Sequence, residues 1–139
     1  MSRKIETLVG KSLVITGDLF ISGAIHIDSI VRGNVICKRD EKAKIFLGKD
    51  SKIYGNVYGP LISIDGYVDG NVYCYDLLQI GSAAKISGDI LYNKVDMEAG
   101  AVIHGNLSHD LNINFDDLYN VDVETLDKSN RITVNNPKN

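Results

Sequence analysis

The side chains best suited to chemistry in this sequence are His26, His104 and His109, the cysteines Cys37 and Cys74, and the carboxylates Asp65 and Asp69. Histidine would act as a general base near neutral pH or as a zinc ligand. Neither role finds its spacing: His104 and His109 stand five apart, and His26 lies 78 residues upstream of His104. Each reads as a surface histidine. The cysteines have no CxxC or HxH companion, so a zinc site is unsupported. Asp65 and Asp69 read as a turn and an outward position, not as the clustered acids of a glycan-cleaving groove. The expectation is no catalytic residue, no metal and no cofactor.

Charge removes a further class. Residues 1–109 hold twelve acidic and twelve basic side chains, while residues 110–139 hold six acidic and three basic ones and carry the whole net charge of −3. Phosphate binding needs a basic surface, so nucleic acid is not an expected partner. No apolar run nears the ~20 residues that span a bilayer, and no signal-peptide pattern opens the chain. The expected compartment is the cytoplasm, where both thiols stay reduced. An N-terminal arm, residues 1–11, sets Arg3 and Lys4 among Ile5, Leu8 and Val9. It offers at most weak attachment to a membrane and otherwise leads into the first strand.

The elements that must position these residues follow from a skewed composition. The chain has 29 Ile plus Val against 12 Leu and 6 Ala, with 13 Gly and 12 Asn. β-Branched residues fit pleated strands, and Gly and Asn fit the turns between them. A pattern of aliphatic, any residue, Gly, Asn or Asp, aliphatic then occurs six times, around Gly17, Gly33, Gly55, Gly70, Gly88 and Gly105. All twelve flanking positions are Ile, Leu or Val. The glycines are 16, 22, 15, 18 and 17 residues apart. The long interval holds an insertion around Lys38–Lys42, read as a surface loop.

A repeat near 17 residues suits one coil of a parallel β-helix, three short strands joined by three turns and stacked on the next coil. The aliphatics beside each corner then point inward in ladders, Ile15 over Val31, Ile53, Val68, Ile86 and Ile103. Gly at the corner is expected to supply positive φ, and Asn or Asp to tolerate the same geometry. Stacked Asn34, Asn56 and Asn71 are expected to hydrogen-bond side chain to side chain. Cys37 and Cys74 occupy one repeat position with Gly59 on the coil between. That separates them by roughly 9.6 Å at ~4.8 Å per coil, beyond the ~7 Å Cα limit for a disulfide.

The resulting organisation is a single all-β domain of about six coils over residues 12–109, followed by a strand-like segment and mobile tail over 110–139. Neither terminus carries a capping helix, so both ends of the solenoid are expected to be open and self-associating. The first coil offers Leu13, Val14 and Ile15, and the last offers Val102, Ile103 and Leu107. Leu111, Ile113 and Phe115 alternate strictly and read as an interface or edge strand in preference to a lid. Beyond Asp117 the chain reads as mobile, with Arg131–Val134 at most a weak strand.

The run Ile64-Asp65-Gly66 through Gly70-Asn71-Val72, then Ile80-Gly81, Lys85-Ile86-Ser87-Gly88-Asp89-Ile90 and Glu98-Ala99-Gly100-Ala101-Val102-Ile103-His104-Gly105, resembles the bactofilins, polymer-forming bacterial cytoskeletal proteins. The resemblance covers about Leu13 to His109. It implies a right-handed parallel β-helix that assembles end to end without nucleotide. It further implies a scaffold for cell shape or for cell-wall and envelope proteins, often at the inner membrane face. The tail departs from the family in having Pro137 as its only proline.

Two other readings compete. Ile15, Ile21 and Ile27 step by six, as in the left-handed β-helix of hexapeptide-repeat acyltransferases or carbonic anhydrases, but Gly48–Gly55 and Gly81–Gly88 are spaced by seven. A monomeric β-solenoid binding module is separated from a polymer only by testing for concentration-dependent filaments.

Overall fold

Alternating Ile and Val with Gly-Asn corners fold here into short strands that all run parallel to their neighbours one coil away. The computed structural model describes residues 7–10, 13–38, 43–110 and 131–135, with the strands at 7–9 and 131–135 described as backbone. Strand β1 (Thr7–Val9) precedes a first coil of β2 (Val14–Thr16), β3 (Asp18–Ser22) and β4 (Ala24–Ile27). The second coil is β5 (Ile30–Arg32), β6 (Val35–Cys37) and β7 (Lys44–Leu47). The third is β8 (Lys52–Tyr54) and β9 (Val57–Ile64), and the fourth β10 (Tyr67–Asp69) and β11 (Val72–Ile80). The fifth is β12 (Lys85–Ser87) and β13 (Ile90–Met97). A sixth begins with β14 (Val102–His104) and β15 (Leu107–His109), and β16 (Arg131–Asn135) comes last. The result is a parallel β-solenoid of five full coils and two sides of a sixth, with no helix among the described residues.

The solenoid has three sides. The first stacks β2, β5, β8, β10, β12 and β14 as one six-stranded sheet. The second runs β16, β3, β6, then the leading halves of β9, β11 and β13, then β15. The third runs β1, β4, β7 and the trailing halves of β9, β11 and β13. Those three strands therefore turn a corner without a break. The pairing shifts between Cys74 and Leu77, where two residues of β11 oppose Pro60 alone on β9. Such a bulge bends a strand while its ladder continues. In the second coil the same corner is an interruption between Cys37 and Lys44, where the extra residues of the long interval fall. Residues 39–42 lie outside the described set.

One side chain in two points into the solenoid, and the core is the stack of these inward positions. Val31, Ile53, Val68 and Ile86 are each fully buried along the first side, as are Val35, Val57 and Val72 along the second and Ile25, Ile27, Ile45 and Ile64 along the third. Burying a Val or Ile in this way contributes about 1.5–3 kcal/mol each.

The corners differ from expectation in two respects. Positive φ occurs at Gly17, Gly70, Gly88 and Gly105 but not at Gly33 and Gly55, so it is not their common requirement. What they share is close approach. A Cβ on Gly33, Gly55, Gly70, Gly88 or Gly105 would run into the carbonyl of the corner glycine one coil earlier. No non-glycine residue described has positive φ, so Asn and Asp are not there for left-handed geometry either. Their oxygens instead accept backbone N–H groups from the next coil: Asn34 donates to Asp18 Oδ1 at 2.8 Å, Asn56 to Asn34 Oδ1 at 2.8 Å, and Asn71 to Asn56 Oδ1 at 2.9 Å. Asp89 donates to Asn71 Oδ1 at 2.9 Å and Asn106 to Asp89 Oδ1 at 3.1 Å. A corner N–H points along the axis with no strand partner, so it takes the side-chain oxygen and displaces the expected side-chain-to-side-chain bond.

At the N-terminal end two strands lie outside the first coil, and their own outer edges have no described partner. β16 pairs in parallel with β3, Ile132 opposite Leu19 and Val134 opposite Ile21. β1 pairs with β4, Thr7 opposite Ile25 and Val9 opposite Ile27. Residues 131–135, which read as at most a weak strand in a mobile tail, thus supply an edge to the first coil. A five-residue strand has too little pattern to be seen alone, and its partner lies more than a hundred residues away.

Candidate assembly ends

The potentially reactive side chains do not converge. His26, on β4 of the third side, stacks on Phe46 at 5.9 Å and pairs through Nε2 with Asp28 Oδ2 at 3.0 Å. His104 is exposed on the first side of the sixth coil, and His109 leans on Tyr92 at 5.5 Å on the second. Asp69 is exposed and Asp65 half-buried at a corner. Among the described residues no cluster of His, Cys, Asp or Glu could hold a metal. Cys37 and Cys74 form no disulfide and are fully buried, with Gly59 between them in the stack. The Cys74 thiol donates to the Pro60 carbonyl at 3.4 Å, and burial pushes its pKa up to about 12. These are core groups.

What the fold leaves unfinished are its two ends, and they are unequal. Leu19 and Leu107 hold the same ladder position on the first and last coils, joined through Val35, Val57, Val72 and Ile90. Leu19 is 1% exposed and Leu107 38%. The difference is the neighbour: β16 lies against β3, and no described strand follows β15. On the third side Leu47, Ile64 and Ile80 are buried, but Met97, next in the same ladder, is 42% exposed. Val95 and Ile103 are half-buried ladder residues at the same end. Among the described residues, the C-terminal end therefore shows Ile103, Leu107, Val95 and Met97 together with unpaired strand edges on all three sides. The corner ladder ends there too, because Asn106 has no described coil beyond it.

Sequence-selected residues divide accordingly. Ile15 and Ile103 stand in the inward ladder and pack against the core from the ends. Leu13 and Val14 are half-exposed at the N-terminal end, beside the edge of β2, which no described strand covers. Val102 is exposed on the outer surface of β14, whereas Leu107 is a true ladder end. Leu111, Ile113 and Phe115 lie outside the described residues. Val95 and Met97 escaped the sequence reading because the motif marks only the Gly-Asn corner. Their signal was the alignment of Val95-Asp96-Met97 with Leu78-Gln79-Ile80 one coil earlier.

A coil stack of this kind, with a Gly-Asn corner, has relatives. The family model described as bactofilin, polymer-forming cytoskeletal, matches residues 7–108. The chain belongs to the bactofilin family. Bactofilin BacO of Myxococcus xanthus is 27% identical over 106 residues, which cover 76% of this chain and 81% of that protein. The crystal structure of a mutant bactofilin from Thermus thermophilus superposes with a TM-score of 0.60 at 20% identity, covering 66% of this chain and 98% of the other. That match concerns the fold. No helix among the described residues of this bactofilin is long and apolar enough to cross a membrane.

Proposed function

We propose that this bactofilin is a non-enzymatic scaffold that polymerises end to end, with no nucleotide or metal. The observation that carries the reading is the C-terminal end, where, among the described residues, three strand edges and the ladder residues Ile103, Leu107, Val95 and Met97 have no coil beyond them. An unpaired edge over an apolar cross-section is a template for another chain. A second copy stacked there would continue both the backbone ladder and the core. Membership of a polymer-forming cytoskeletal family supports the same conclusion. Work in the cytoplasm on cell shape, with cell-wall or envelope proteins as clients at the inner membrane face, is part of this proposal.

Sedimentation and negative-stain electron microscopy of the full chain, with nucleotide and metal excluded, test it. The expected result is filaments that pellet above a critical concentration. A strictly monomeric species at high concentration contradicts it.

A further inference from the structure

The three sides of the solenoid differ in the charge they turn outward. All six strands of the first side, β2, β5, β8, β10, β12 and β14, are described with their side chains. Seven cations and ten carboxylates have described side chains, and the outer face of this side holds three of the cations, Arg32, Lys52 and Lys85, but only one carboxylate, Asp69. Elsewhere four cations stand against nine carboxylates. The first side is therefore a positive face on a negative body. Among the described residues no carboxylate pairs with Arg32, Lys52 or Lys85.

Two tyrosines lie among these cations. Arg32 stands over the ring of Tyr54 at 5.9 Å, and Tyr54 meets Tyr67 edge to face at 6.0 Å. The register puts Arg32 beside Tyr54, and Tyr67 between Lys52 and Lys85. Tyr54 is 42% exposed, although its ring is already held by Arg32 and Tyr67. Pre-set tyrosine and arginine are the side chains that dominate protein–protein contacts. The face is also narrow. Each strand turns two residues outward, so two columns ~7 Å apart run for ~24 Å along the axis. That is the footprint of one extended chain, whereas a bilayer would meet a broader surface and would have Asp69 against it.

Spacing along the axis fits such a chain. Arg32 and Lys85 are three coils apart, or ~14 Å, with the tyrosine pair midway. An extended segment repeats its same-face side chains every ~6.8 Å. Its first, third and fifth residues then fall over Arg32, the tyrosines and Lys85.

We infer that the first side is the docking face for a client protein, which binds through an extended acidic segment. The segment lays an apolar side chain on Tyr54 and Tyr67 and directs carboxylates to Arg32, Lys52 and Lys85. This rests on the scaffold reading and gives the scaffold its point of attachment.

The test selects a random peptide library displayed on phage against the full chain at a dilute, non-pelleting concentration. The control is the full chain carrying Arg32→Gln, Lys52→Gln and Lys85→Gln together. All three side chains are exposed, so the variant should keep the β spectrum, the melting temperature and the pelleting behaviour of the wild type. The expected result is enrichment of peptides with two acidic residues four positions apart and an apolar residue midway. A synthetic copy of the most enriched peptide should bind the variant roughly tenfold more weakly, as loss of several exposed ion pairs implies, and should be weakened by salt. Equal binding to both chains overturns the inference, as does enrichment of neutral or basic peptides or of none. Vesicles containing phosphatidylserine that carry down the wild type and not the variant, with no acidic peptide enriched, assign the face to lipid and also overturn it. Failure of both chains to pellet at high concentration, with the acidic peptide still bound, overturns the polymer reading alone.

Discussion

At the residue scale, the corner is the most demanding position in the repeat. Gly55 shows why: its Cα lies against the Gly33 carbonyl, so the smallest added side chain meets backbone that cannot move aside. Gly55→Ala is expected to destabilise by about 1–3 kcal/mol, the usual range for overpacking, read as a lower midpoint in urea unfolding. Asn56→Ala leaves the Asn71 N–H without its acceptor and is expected to cost ~1–3 kcal/mol. Asn56→Asp should cost less, because Asp89 plays the same part towards Asn106. The need for Gly and Asn was legible in the six copies of the motif. Its cause was not, since close approach across coils cannot be read from one strand's sequence.

Cys74 makes a prediction of a different kind. Burial favours its neutral thiol and raises its pKa from 9.0 to about 12. The unfolded chain therefore loses this proton first as pH rises, so folded stability contributed by the neutral thiol is complete below pH 9 and declines towards pH 12. The slope attributable to this group is ~1.4 kcal/mol per pH unit. Replacing Cys74 by Ala should remove that slope from unfolding measured across the window, and native Cys74 should resist alkylation at neutral pH.

At the scale of elements, strands differ in what they contribute. Ile53, at the centre of β8, is fully buried, and Ile53→Ala is expected to cost about 2–5 kcal/mol. Leu107→Arg and Met97→Arg at the C-terminal end should leave the circular-dichroism spectrum and melting temperature nearly unchanged while abolishing pelletable filaments. Equal loss of folding and of assembly would assign these two residues to the core. The sides of the solenoid were visible in the sequence because Ile and Val recur around each corner glycine. The unbroken turn of β9, β11 and β13 was not, because a bulge of one residue leaves no Gly or Pro signature common to all three. β16 read as no more than a weak strand for a related reason: its alternation is short, and its partner lies in the first coil.

At the scale of the whole molecule, each coil is the neighbour that the previous coil needs, and the last described coil has none. On the proposed reading, polymerisation is the same event as folding, repeated between chains, and it needs no energy source beyond burial and strand pairing. The measurement that tests this most directly is the diffraction, or the averaged electron-microscope power spectrum, of aligned filaments. Continuation of the coil stack from one subunit to the next predicts a strong reflection near ~4.8 Å on the filament axis, since the strands would lie across it. Filaments that carry this reflection perpendicular to their axis would mean that copies join side by side, and would contradict end-to-end assembly.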